Sequence, residues 1–369
     1  MQYPIRILNV FMVLDRGGAE TLVMNIYRNL DRSQVQFDFL VHGDKKGVYE
    51  KEILELGGRI FRMPSIGLKK LPAYLRMLKV FFAKHPEYKI IHAHNSELGL
   101  FALRQAQKSG VSCRICHAHS APCGYGMKMF LRYLFKKITL RYITDGFACS
   151  EDAGRWQFGN FAAFQLLNNG IEVRQFQYNE HVRKELRARL KLEDYFILGH
   201  VGRFELQKNH TFLLKVFAEI VKRKSSSILL LIGEGTLKVK IEEEAEALQL
   251  SSNIMFLGGK GNVADYLQAF DVFLFPSLYE GLGISVIEAQ AAGLPCFCSD
   301  TIPRQVALTK QCLFLPLDSP HVWADKIFGY SFNDRSEMNS CKIIHDSGYD
   351  IRQTTQFLES FYLDKSQNS

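Results

Sequence analysis

Phe275-Pro-Ser-Leu-Tyr-Glu-Gly-Leu-Gly-Ile-Ser-Val-Ile-Glu-Ala289 is the stretch that decides how this chain folds. An apolar run ends at Phe275, Pro-Ser breaks it, a glycine-rich turn follows, and apolar residues at helical spacing restart at Ile284. That order reads as a buried strand, a loop and the start of a helix, which is where open parallel α/β sheets hold their ligands. Gly281 and Gly283 let backbone N–H groups approach an anion, and the helix start adds a partial positive charge. Glu280 lies in the loop, and Glu288 follows about two turns later on the same element. An ionised carboxylate accepts several hydrogen bonds and so suits clustered hydroxyl groups.

Working outward, a second block has the same grammar. Gly199-His-Val-Gly-Arg-Phe-Glu-Leu-Gln-Lys-Asn-His210 carries a strand to Arg203, with Lys208 in the loop before the next helix. A planar guanidinium fork and a point charge converging at a strand end suit a diphosphate, whose charge must be held and then stabilised as it leaves. Gly17-Gly18 ends the first strand in the same way, ahead of a helix with Leu22, Val23, Ile26 and Leu30 on one face.

Short apolar runs alternate with amphipathic stretches along the whole chain, which predicts parallel α/β architecture. Expected strands are 5–13, 37–41, 89–92, 114–118 and 146–149, then 196–201, 228–232, 254–257, 272–275 and 295–298, with helices over 210–222, 238–248 and 284–292. A polar stretch over 168–181 breaks the pattern. At 369 residues the chain exceeds what one core usually serves. Two domains are therefore expected, 1–170 and 171–350, with 351–369 as a C-terminal helix returning to the first.

No run of apolar residues is long enough to span a bilayer. The segment Ile7–Leu14 is interrupted by Asn9 and reads as a first strand instead of a leader, so a cytoplasmic protein is expected. Eight cysteines follow no disulfide framework. Residues 1–170 carry 24 Lys+Arg against 13 Asp+Glu, or +11, and the remaining 22 against 25, or −3. The first half therefore invites an anionic partner. Lys128, Arg132 and Lys136 recur every four residues beside Phe130, Leu131, Leu134 and Phe135, as in an interfacial helix. No nucleic-acid module accompanies these cations, which argues against nucleic acid.

Gly233-Glu-Gly235 is half of a dinucleotide fingerprint without its third glycine, which argues against an NAD enzyme. Cys113-Arg-Ile-Cys-His117 with His119 offers four metal ligands on paper. Strand alternation would point Cys116 and His117 to opposite faces, so no metal is expected from that motif. His117 and His119, like His92 and His94, are expected at strand ends.

The string Pro276–Pro295, with Glu280 and Glu288 as a Glu-x7-Glu pair, resembles the motif of the family 4 retaining glycosyltransferases. The likeness runs in order from Gly17-Gly18-Ala-Glu20 through Asn169-Gly-Ile171 to the C-terminal helix, and is similar to bacterial members that build exopolysaccharide and capsule. It implies the GT-B fold, two Rossmann-like domains facing each other across a cleft. It implies transfer of a hexosyl or N-acetylhexosaminyl group, with retention, from a nucleotide sugar, in particular a UDP-sugar, to a lipid-linked glycan. By resemblance Glu280, His119, Arg203 and Lys208 are catalytic: Glu280 positions the donor sugar, His119 meets a sugar hydroxyl, and Arg203 and Lys208 hold the pyrophosphate. Gly17, Gly18, Gly235, Lys260, Gly281, Leu282, Gly283 and Glu288 line the donor site, Glu288 on the ribose. Gln305 stands where relatives carry Glu. The expected partners are the donor, the lipid-linked acceptor and an anionic membrane at the inner face of the cell membrane, with no cofactor. The alternative reading is a non-catalytic subunit that binds nucleotide sugar or lipid carrier.

Overall fold

The computed structural model describes residues 3–15, 17–65, 67, 70–94, 96–119, 127–159, 163–332 and 334–367. The chain divides into two compact units, Met1–Ile171 with Asp350–Ser369, and Glu172–Tyr349.

The first unit is built on seven parallel strands: β1 (Ile5–Val10), β2 (Val35–His42), β3 (Ile60–Met63), β4 (Ile90–Ala93), β5 (Cys113–Ala118), β6 (Asp145–Ala148) and β7 (Gln165–Leu166), in the order β3-β2-β1-β4-β5-β6-β7. Six more, β8 (Phe196–Val201), β9 (Ser227–Ile232), β10 (Ile254–Gly258), β11 (Val272–Phe275), β12 (Cys296–Ser299) and β13 (Cys312–Leu315), form the second sheet in the order β10-β9-β8-β11-β12-β13. The expected parallel α/β class is therefore what the chain adopts. In both sheets the order reverses between the first and fourth strands. At that switch point the loops leaving two neighbouring strands diverge to opposite faces and open a crevice at the strands' C-terminal ends.

Alternation along β1 explains how the first sheet is covered. Ile7 joins Phe37, Phe39 and Ile115 on one face, while Leu8 and Val10 join Ile91, Cys116 and Ala148 on the other. The first face is closed by the Gly18–Asn29 helix and by the C-terminal Ile351–Gln367 helix, whose Ile351, Leu358 and Tyr362 lie in the core beside Phe37. The structure adds β3, β7 and β13 to the expected strands. It also stops β1 at Val10, with Phe11 and Leu14 still in the core and Met12 exposed between them.

In each sheet one acid, Asp38 fully buried and Asp271 partly so, ties neighbouring elements together. Asp38 on β2 is fully enclosed and accepts both prongs of Arg6 at 2.6 Å, the Tyr88 hydroxyl at 2.7 Å and the Arg59 N–H at 2.7 Å. Asp271, just before β11, takes Arg183, Arg187 at 3.0 Å and the Ile197 N–H at 2.7 Å. Arg335 donates to the carbonyls of Leu267, Gln268, Phe270 and Ala292, capping two helix ends, and burial pushes its guanidinium down to about 9. The cysteines among the described residues are all free thiols.

Removing one partner of a buried ion pair leaves the other desolvated, at about 3 kcal/mol. Asp38→Ala is therefore expected to speed amide exchange in β1 and β2 by about a hundredfold with β8 and β9 unaffected. Equal protection in variant and wild type, read by mass spectrometry, would refute the locking role of Asp38.

Candidate functional site

In the second unit the two loops at the switch point follow β8 and β11, and they carry the residues expected to act. Lys208, in the loop after β8, places its Nζ 2.6 Å from Glu280 Oε1, in the loop after β11. Gln207 Nε2 donates to Glu280 Oε2 and to the Tyr279 carbonyl, both at 2.9 Å, and the Leu278 N–H bonds the Gln207 carbonyl at 2.8 Å. The pair is largely withdrawn from solvent, with 15% of the Lys208 and 8% of the Glu280 side chain exposed. The lysine stem packs against Gly202, where any Cβ would come within 3.1 Å of it, and its ammonium lies 4.6 Å above the Phe275 ring. A Cβ at Gly202 would also fall 2.8 Å from His200 Nε2, so His200 and the lysine together keep this position small.

Glu280 leads directly to the Ile284–Ala291 helix. Gly283, its N-cap, has φ 95°, a left-handed conformation that glycine adopts without strain, and no side chain caps the helix. Its first N–H groups are therefore available to an anion beside the ion pair. Leu282 is buried and Gly281 partly exposed in the same turn. Arg203 is exposed and makes no ion pair or hydrogen bond through its side chain among the described residues. Glu288 keeps some solvent contact, but burial of its carboxyl group pushes it up to about 7.

Two further expected donor residues lie in neighbouring loops of this unit. Gly235 lies against the Phe204 backbone, where a Cβ would fall 2.4 Å from the carbonyl oxygen, so close packing of two loops accounts for this glycine. Lys260 lies 5.9 Å from the Tyr266 ring, next to Gly259, whose N–H donates to Glu234 Oε1 at 2.9 Å. Sequence reasoning missed Gln207 and Glu234, whose partners lie 73 and 25 positions away, and also Ser277, a fully buried hydroxyl with no partner among the described residues.

In the first unit, Gly17 caps the Gly18–Asn29 helix. The space a Gly17 Cβ would take is filled by the Glu20 carboxylate, while nothing lies within 4 Å of that position at Gly18. His92, His94, His117 and His119 stand together on the face of β4 and β5 shared with Asn9 of β1. His94 Nδ1 is 3.0 Å from His119 Nε2, His94 Nε2 is 3.1 Å from Asn9 Oδ1, and His92 Nδ1 is 2.7 Å from the Tyr362 hydroxyl. Burial pushes His92 and His119 down to about 3 and holds His94 and His117 well below the usual histidine range, so all four are neutral. Cys116 lies in the opposite core, as alternation required.

The basic stripe is only partly a basic face. The Lys128 side chain lies outside the described residues. Lys136 is turned inward, donating to the Trp156 carbonyl and lying within 5.0 Å of the Tyr133 and Trp156 ring centres. Tyr133, Leu134 and Lys137 are exposed instead. No helix among the described residues is long and apolar enough to cross a membrane.

The two halves match two family models: residues 17–157 match "Glycosyl transferase 4-like domain" and residues 182–327 match "Glycosyl transferases group 1". "Putative glycosyltransferase EpsF" of Bacillus subtilis (strain 168) is 39% identical over 97% of this chain and 96% of its own. "Capsular polysaccharide biosynthesis glycosyltransferase CapH" of Staphylococcus aureus is 26% identical over 98% and 99%. The crystal structure of Anabaena HepE with UDP and glucose superposes with a TM-score of 0.81 at 15% identity, over 97% of this chain and 99% of that one. A relative this similar over nearly the full length, and a family model on each half, show that the chain belongs to the group 1 glycosyltransferases, enzymes of the GT-B fold.

Proposed function

We propose that this glycosyltransferase moves a hexosyl or N-acetylhexosaminyl group from a UDP-sugar, with retention, onto a glycan carried on a lipid diphosphate during exopolysaccharide or capsule assembly. The observation that carries the reading is the Lys208–Glu280 pair at the uncapped N-terminus of the Ile284–Ala291 helix. A relative from Escherichia coli, 25% identical over 80% of this chain, is named as a UDP-Gal:alpha-D-GlcNAc-diphosphoundecaprenol alpha-1,3-galactosyltransferase, which supports the donor and acceptor classes.

In the ligand-free pair each charge offsets the other. A donor diphosphate draws Lys208 toward its oxygens together with the unengaged Arg203 and the helix N–H groups, and Glu280 is then released to accept from sugar hydroxyls. The leaving diphosphate is stabilised without desolvating a fresh cation, because Lys208 is already withdrawn from water. Glu288 takes the ribose hydroxyls, and Gly281, Leu282 and Gly283 form the turn over the phosphates. By resemblance, His119 meets a sugar hydroxyl and Gly17-Gly18 lies on the same path. No side chain is set up as a nucleophile, so the acceptor attacks the face the diphosphate leaves.

Screening UDP-, GDP- and ADP-sugars for transfer to a lipid diphosphate glycan tests the reading, with UDP-sugars expected to be used. Glu280→Gln should keep the fold and lower turnover at least about tenfold, or roughly 1.4 kcal/mol in the barrier. Wild-type turnover in that variant would remove Glu280 from the mechanism.

Glu288 adds a pH signature. Its carboxyl group is raised to about 7, above the unfolded carboxylate range, so its protonated form favours the fold in acid and that contribution is lost as pH rises to about 7. A ribose held by the carboxylate favours ionisation. Donor affinity should therefore climb about tenfold per pH unit up to pH 7 and level off above it. Calorimetry should show this slope in the wild type and a flat profile in Glu288→Gln; a sloping profile in the variant would move the effect elsewhere.

The membrane reading moves to the residues that the Met127–Thr139 helix exposes. Vesicles rich in phosphatidylglycerol should sediment the protein, neutral ones should not, and the combined change Tyr133→Ser, Leu134→Ser and Lys137→Ser should cut sedimentation at least about tenfold. Unchanged sedimentation would make this helix an ordinary solvated face.

A further inference from the structure

We propose that His92, His94 and His117 form a binding site for a divalent transition-metal ion, with Tyr362 and Asn9 as the groups that orient the imidazoles. Parallel register brings the set together. His92 and His94 are two apart on the β4 edge and share a face, and β5 runs beside them with Ala93 opposite Cys116, which sets His117 next to His94. The ring centres lie 4.2 Å apart for His92 and His94, 5.3 Å for His92 and His117, and 5.5 Å for His94 and His117. One nitrogen from each lies within 4.8 Å of the others. Nitrogens on a tetrahedral zinc ion at about 2.1 Å stand about 3.4 Å apart, so the rings close by roughly an ångström, within reach of side-chain rotation.

The orphaned nitrogens are the second, independent observation. His92 is 1% exposed and His117 2% exposed, and His92 Nε2 and both His117 nitrogens have no partner among the described residues. A buried polar atom without a partner is costly, and an ion satisfies it through the lone pair. With the His92 proton on Nδ1, donated to the Tyr362 oxygen at 2.7 Å, Nε2 presents that lone pair inward. This is the relation by which a hydrogen bond on one nitrogen orients the other toward a metal. With its Nε2 proton donated to Asn9 Oδ1 at 3.1 Å, His94 enters through Nδ1, which now faces His119 Nε2 at 3.0 Å.

The walls are apolar and aromatic. Phe11 stacks on His94 at 4.5 Å, and Phe147 lies 5.9 Å from both His92 and His117. A set of imidazoles with no carboxylate selects zinc, copper or nickel and rejects magnesium and calcium. The fourth position falls to water or an anion. The Cys113-x-x-Cys116-His117 spacing plays no part, since Cys116 faces the other core. The site adjoins the assigned sugar contact, since His94 Nδ1 bonds His119, but none of its three imidazoles has a donor or acceptor role above.

The experiment uses the metal-free full chain with Co2+ and Cu2+ as probes. Co2+ should give the visible absorption of a tetrahedral site at one ion per chain, displaced by Zn2+ and indifferent to Mg2+. Tyr362→Phe should weaken Co2+ binding about tenfold, and His92→Phe or His117→Phe should abolish the band. Electron paramagnetic resonance of Cu2+ on the unmodified chain counts coordinating imidazoles without any substitution. A spectrum with imidazole nitrogens whose signal is lost in His117→Phe supports the site. No bound ion, oxygen-only coordination, or a signal unchanged in both histidine variants overturns it.

Discussion

The contact that ties the second unit's candidate site together is the ion pair between Lys208 and Glu280. It ties the two loops that diverge at the switch point of the β8–β11 sheet, and each loop can take its shape only because the other is there. Gln207 repeats the tie with a second hydrogen bond to the same carboxylate. Gly202 is kept small by His200 and the lysine stem, and Phe275 gives the ammonium a face to rest on. Losing either partner would leave the other charged and largely desolvated, a cost of about 3 kcal/mol. The pair therefore holds the two loops to each other, each charge offsetting the other where little water reaches either.

The far end of the same helix completes the electrostatics. Ile284–Ala291 points its uncapped N-terminus at the ion pair, while Arg335 donates to the Ala292 carbonyl just past its last turn. A cation at the C-terminal end complements the helix dipole, as an anion does at the start. Arg335 also gathers carbonyls from the end of the Val263–Ala269 helix, so one buried guanidinium fixes two elements that sequence places far apart. Burial lowers its basicity to about 9, still well above neutral, so the charge is retained.

How much of this was legible in the sequence differs by element. Phe196–Val201 and Val272–Phe275 were readable to the residue because each starts as an apolar run and is closed by a polar or glycine-rich turn. β2 was read short because Gln36 and His42 interrupt its apolar pattern at the two ends, and each finds its partner far off in sequence. β3 and β13 are four residues each and only partly buried, too short for alternation to show. Glu280, Lys208 and Gly283 were all visible as candidates. Their pairing was not, because a side-chain contact across 72 positions leaves no periodic trace.

The histidines show the limit most sharply. Local spacing drew attention to Cys113-x-x-Cys116-His117, a grouping that strand geometry breaks by alternation. The grouping that exists needs the register of β4 against β5, which no single stretch encodes, and a tyrosine 270 positions away that reaches His92 only because the last helix returns to the first sheet. That return also explains why Tyr362 is fully buried on a helix whose other face is polar. Its hydroxyl must find a partner in the core, and among the described residues it finds His92 Nδ1. One hydrogen bond therefore satisfies the tyrosine, fixes the orientation of the first imidazole and pins the C-terminal helix to the edge of the sheet where the first unit's candidate residues stand.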